Sequence, residues 1–195
     1  MLTNRASIYL QSLERLPFVS TRLVETIFQD RGEVLFPCWL DFHDRFAGHV
    51  EHIGRDIAIW GLIHENPRWL ESLQPSLDSD IDENNAENLY VACADVHPSY
   101  DYQLDQRGHF TGPCAATFDI HVERVALIRD FCSELVKALL PSDLQDPDVR
   151  ARILGNAMRV TEASDQYFEY SMSDSHLVLR NRETDVLRGW IRVGV

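Results

Sequence analysis

Lysine is almost missing from this chain: Lys137 stands alone among 195 residues. The 18 basic residues are therefore nearly all arginine. They face 31 acidic ones, for a net charge of −13. A surface this negative repels phosphate backbones and anionic lipid headgroups. It argues against nucleic-acid and membrane partners and for a basic protein partner. Long apolar runs are missing too. No stretch approaches the ~18 consecutive apolar residues of a membrane span. Residues 1–9 have neither the apolar core nor the small-residue cleavage site of a secretory leader. The four cysteines, Cys38, Cys93, Cys114 and Cys132, form no Cys-x-x-Cys pair and are too sparse for a disulfide framework. These absences lead us to expect a cytoplasmic protein with reduced thiols. The phosphate-cradling Gly-x-x-x-x-Gly-Lys-Ser/Thr is absent, as are Gly-x-Gly-x-x-Gly, Gly-x-Ser-x-Gly and His-Glu-x-x-His. No cofactor or metal is expected, and no residue is assigned a catalytic role.

What is present suits a soluble globular protein. Hydrophobic residues make up 45% and charged residues 25%. The length allows one good core, or one core with an appendage. Apolar residues at Ile8, Leu10, Leu13 and Leu16 predict a first helix stopped by Pro17. Ser20 should cap a second helix that Gly32 ends, and Pro37 should open a third that ends at Gly48. Alternation then predicts strands over 50–53 and 56–63, with a helical turn over 68–73. Residues 75–88 are polar and acidic and read as a mobile loop. A hairpin follows, with strands 89–96 and 100–104 and a tight turn at 105–108. Thr117 should cap a long helix reaching Leu139, with Pro141 ending it. Residues 141–147 read as a linker and 148–157 as a short helix. Strands are expected at 158–163, 167–172, 176–181 and 186–193. Grouped strands make the fold class α+β, an antiparallel sheet packed by helices with a C-terminal antiparallel β meander. The expected division is a core over 1–140 and a helix-and-meander extension over 147–195.

Three constellations carry reactive residue types. Cys93, Asp95 and His97 alternate along one predicted strand, which could supply nucleophile, orienter and base. Same-face neighbours on a strand are about 6–7 Å apart, too far for a direct relay, so a plain sheet or turn role is favoured. His43, His49 and His52 resemble a metal cluster in composition, but their spacing is not that of a zinc helix. These two groups define the alternative reading, a small hydrolase or metal enzyme. The third constellation is Asp78, Asp80, Asp82 and Glu83 beside Tyr100, Asp101 and Tyr102. Clustered carboxylates create a negative field, and tyrosines supply anchors that can be desolvated at an interface. These seven residues form the candidate partner-binding surface.

The segment Phe36-Pro-Cys-Trp-Leu-Asp-Phe-His-Asp-Arg-Phe-Ala-Gly48 resembles the proline-led helix and glycine turn found early in the SUKH superfamily. Tyr100-Asp-Tyr-Gln-Leu-Asp-Gln-Arg-Gly-His-Phe110 resembles that superfamily's later strand, Asp-x-x-Gly turn and strand. Thr117-Phe118 resembles the opening of its closing helix. The match spans roughly residues 20–140. It departs from the family pattern in having Ala-Gly where Gly-Gly is commoner, and in the strands after Pro147. The resemblance implies an α+β domain of the immunity-protein kind, which binds and neutralises bacterial toxins, many of them nucleases. It implies no catalytic residues.

Overall fold

The structure is a computed structural model, and it describes residues 1–32, 34–53, 56–64, 79–82, 87–91, 93–94, 103–110 and 115–193. The chain forms two compact units, Met1–Tyr9 with Cys114–Val195, and Leu10–Pro113. The fold class is α+β and ends in an antiparallel meander. No helix among the described residues is long and apolar enough to cross a membrane.

The Leu10–Pro113 unit begins within helix α1 (Asn4–Ser12) and continues through α2 (Thr21–Arg31) and α3 (Pro37–Phe46). The expected caps are in place. The Ser20 hydroxyl accepts from the Leu23 N–H, and the Gly32 N–H closes on the carbonyls of Phe28 and Gln29. Pro37 occupies the first turn of α3, where its missing N–H costs nothing. Trp39, Phe42 and Phe46 form the buried face of α3, and Trp39 meets Phe28 of α2 at 5.5 Å between ring centroids.

Strands β1 (Val50–Ile53) and β2 (Asp56–Trp60) pair antiparallel, and β5 (Cys93–Ala94) adds to β2. A second three-stranded sheet contains β3 (Ser79–Asp82), β4 (Glu87–Val91) and β6 (Gln103–Asp105), in the order β3-β4-β6.

Two expectations change here. Part of the expected mobile loop is strand β3, which pairs with β4 from Ser79↔Tyr90 to Asp82↔Glu87. Backbone pairing there prevails over a side-chain composition that favours solvent. The expected strand over 89–96 is also divided between two sheets: β4 pairs with β3 and β6, whereas β5 pairs with β2. Residues 68–73 lie outside the described residues.

The other unit is built on α4 (Phe118–Phe131), which Thr117 caps by accepting from the Ile120 N–H. The helix stops eight residues short of Leu139. The Ser133 hydroxyl donates to the Asp130 carbonyl at 2.7 Å, and residues Val136–Ala138 become strand β7. Next come α5 (Pro141–Gln145) where a linker was expected, α6 (Pro147–Gly155), and strands β8 (Met158–Arg159), β9 (Phe168–Met172), β10 (His176–Asn181) and β11 (Leu187–Arg192). All pairs are antiparallel, in the order β7-β11-β10-β9-β8.

Alternation along β10 sorts its neighbours onto two faces. Leu177 packs with Tyr170, Val160 and Ala163 against Leu127 and Phe131 of α4. Val178 packs with Leu187 against Leu144 of α5 and Ile153 of α6. The sheet is thus covered on both faces. The compact units therefore do not divide near 141–147, as the expected 1–140 and 147–195 partition would have it. α4 shares its core with the meander strands, and the later boundary between units falls at Pro113/Cys114.

Candidate protein-binding surface

The net charge is unevenly shared. Leu10–Pro113 contains seven basic and eighteen acidic residues, a net −11, while the other unit has eleven and thirteen, a net −2. Within the first unit the imbalance is local. No lysine or arginine stands between Arg68 and Arg107, and eight carboxylates occupy 78–105. The chain folds much of this stretch into the β3-β4-β6 sheet.

Asp80 and Asp82 take alternate positions of β3, and Asp82 is in register with Glu87. β3 pairs only with β4 among the described residues, so it forms an edge of its sheet. Asp78, Glu83, Tyr100, Asp101 and Tyr102 lie outside the described residues.

The far end of this sheet meets α3. The Asp105 carboxylate is buried and organises its own turn. Oδ1 accepts from the N–H groups of Arg107 (2.8 Å) and His109 (2.7 Å), and Oδ2 lies 3.0 Å from His109 Nδ1. Gly108 closes the turn against Cys38 near the start of α3, where an added Cβ would sit 3.0 Å from the Cys38 Cβ. The Cys38 thiol points to the carbonyls of Gln106 (3.5 Å) and Asp105 (3.7 Å), and burial pushes its pKa up, so it is protonated at neutral pH. The proline-led helix and the Asp-x-x-Gly turn, distant in sequence, are therefore in contact.

The histidine group does not converge. His43 is fully buried and stacks on Trp39, with 5.2 Å between centroids and 21° between planes. His49 is buried with Nδ1 2.8 Å from the Phe46 carbonyl, whereas His52 is exposed. Among the described residues no three histidine, cysteine or carboxylate side chains are grouped to hold a metal ion. Cys93 pairs in register with Trp60, and Asp95 and His97 lie outside the described residues.

Two buried carboxylates of the Leu10–Pro113 unit escaped the sequence reading. Glu51 accepts from the Trp60 indole at 3.2 Å, and Asp105 holds the turn just described. For Asp105 a signal was available, since an aspartate opening an Asp-x-x-Gly turn commonly accepts from backbone N–H groups. For Glu51, on an alternating strand, the pattern Val-Glu-His-Ile contains no such cue. Compared with known proteins, the chain matches no family model, no curated protein and no solved structure.

Proposed function

We propose that this chain is a non-catalytic binding protein, an immunity-type inhibitor acting in the cytoplasm that neutralises a basic toxin domain through the acidic Leu10–Pro113 unit. The carrying observation is the charge partition, −11 in one unit against −2 in the other. Uniform acidity serves solubility alone, whereas acidity gathered in one unit and within one stretch makes a directional field. A nuclease domain is basic where it holds nucleic acid, and an acidic protein can cover that surface. The barnase–barstar pair works by such complementarity. The resemblance to the SUKH superfamily points to the same class of partner. Aromatic anchors among carboxylates complete the candidate surface: Asp78, Asp80, Asp82, Glu83, Tyr100, Asp101 and Tyr102.

The test is kinetic. A basic toxin domain encoded beside this chain is titrated with the wild type and with a variant carrying Asn, Gln or Ala at those seven positions. Association of the variant should slow by about tenfold at low salt and lose most of its salt dependence. Loss of the tyrosines should speed dissociation. Unchanged rates with an intact far-UV spectrum would place the interface elsewhere, and a toxin still active in the presence of the wild type would refute the function.

A further inference from the structure

His43 has an unusual environment for a titratable group. Its side chain is fully buried, and neither Nδ1 nor Nε2 has a hydrogen-bond partner. The Leu62 backbone, the acceptor that faces the ring, favours the charged form but is poorly aligned, and burial outweighs it. Trp39 stacks on one side, and Phe18 meets the ring edge-on at 6.0 Å. Behind it, Gly61 leaves no slack: a Cβ there would lie 2.7 Å from the Ala47 Cβ and 3.1 Å from His43 Cδ2. Buried imidazoles normally bond through at least one nitrogen.

We propose that the α3–β1–β2 core of the Leu10–Pro113 unit is an acid-sensitive latch, closed while His43 is neutral and opened when the ring takes up a proton. An imidazolium in this position would be a buried charge with only the poorly aligned Leu62 backbone to receive it, so the protonated ring gains by reaching water, and α3 has to loosen to let it. The charged groups facing the ring among the described residues are Arg15 and Asp44. Asp44, the next residue on α3, is exposed and favours the proton. Arg15 opposes it, and is held in place by donating to the carbonyls of Ala47 (3.0 Å) and Asp44 (3.5 Å) with its guanidinium 4.5 Å over the Phe18 ring. His49 and Glu51 share the same core. His49 keeps the Phe46 carbonyl as an acceptor when charged, and Glu51 is engaged by the Trp60 indole. Burial lowers the proton affinity of His49 as well, but its acceptor is well placed, whereas His43 has only the poorly aligned Leu62 backbone.

Burial lowers the affinity of His43 for protons in the folded unit below that of the unfolded chain. The unfolded state therefore binds the proton first, and stability is lost as pH falls through about 6.5, the ordinary histidine value. A single such group raises the opening constant by up to about 25-fold between pH 7 and pH 5, above the range where ordinary carboxylates titrate.

Hydrogen exchange of the full chain, corrected for intrinsic rate, reads this directly. Amides of Cys38–Phe46 and Val50–Ile53 should open between about five- and 25-fold more often at pH 5 than at pH 7, and His43→Phe should remove most of that increment. Equal pH dependence in wild type and variant would overturn the proposal. Should His43→Phe fail to fold, the imidazole signals of the wild type decide. Absence of a His43 titration near 6.5 while the fold persists supports the latch. An ordinary titration there with unchanged amide shifts refutes it.

Discussion

Replacing Asp165 should be the most damaging single change to the unit that contains the meander. Its carboxylate is 3% exposed, accepts from three backbone donors and faces one guanidinium. Oδ1 accepts from the N–H groups of Tyr167 and Phe168, both at 2.8 Å. Oδ2 accepts from the Ala116 N–H at 2.8 Å and lies 2.8 Å from Nη2 of Arg124, which is itself 5% exposed. Arg124 has other support: Nε donates to the Ala163 carbonyl, and its guanidinium lies 5.4 Å from the ring centroids of Phe168 and Tyr170. Yet neither Nη1 nor Nη2 makes an aligned hydrogen bond. In Asp165→Ala the guanidinium stays buried without its counter-charge, a loss of about 3–5 kcal/mol when one partner of such a pair is removed. The imperfect alignment of Nη2 argues for the lower half of that range. Orphaned backbone donors add about 1 kcal/mol each where water cannot replace the carboxylate. Tyr167 is exposed and exempt, which leaves Ala116 and Phe168, so the total is about 5–6 kcal/mol. Domains of this size lose about 4–8 °C in Tm per kcal/mol, which makes the expected drop about 20–45 °C by calorimetry. Arg124→Met should cost less, about 1–3 kcal/mol, because Asp165 keeps its three backbone donors and the Met stem still covers Phe168. A loss below about 1 kcal/mol for Asp165→Ala, or a larger loss for Arg124→Met, would refute this account.

Gly48→Ala should destabilise the Leu10–Pro113 unit by more than about 2 kcal/mol in urea titrations, since Gly48 has φ +83° and a Cβ would collide with the Leu16 carbonyl. Thr117→Ala removes the cap on Ile120 and should cost about 1 kcal/mol, with Thr117→Ser restoring most of it. Glu123→Gln should loosen residues 3–7, measured as faster hydrogen exchange at Ala6 and Ser7. Both the N–H and the hydroxyl of Thr3 donate to that buried carboxylate, at 2.6 and 2.7 Å, and an amide offers one acceptor oxygen in place of two.

Where local chemistry decides a boundary, the sequence was legible. Ser20, Gly32, Pro37 and Thr117 each act within one helical turn, and each occupies the expected place. The strands of the meander were readable because β9, β10 and β11 alternate between two buried faces. Tertiary pairing was not readable. Residues 132–139 contain leucine, glutamate, lysine and alanine at helical spacings, yet Val136–Ala138 is a strand because β11 offers it an open edge from Trp190 to Arg192. The acidic segment 79–82 becomes a strand for the same reason, with β4 supplying its hydrogen bonds. The alternation of 89–96 was real but contained no sign that its two halves join different sheets. Asp80 and Asp82 could be singled out by charge alone, whereas the concentration of charge in one unit needed the boundaries at residues 10 and 113.

Those boundaries make one unit discontinuous in sequence, because residues 1–9 close onto 114–195 with the whole of 10–113 between them. On the ribosome this sets an order. The acidic unit is complete once Pro113 has emerged, and domains fold as units while synthesis proceeds at about 5–20 residues per second. Residues 1–9 must wait several seconds longer, because Glu123, which holds Thr3, and Glu162, which holds Arg5, are made afterwards. A nascent chain stalled near residue 113 should therefore present a finished acidic unit alongside an undocked amino-terminal segment.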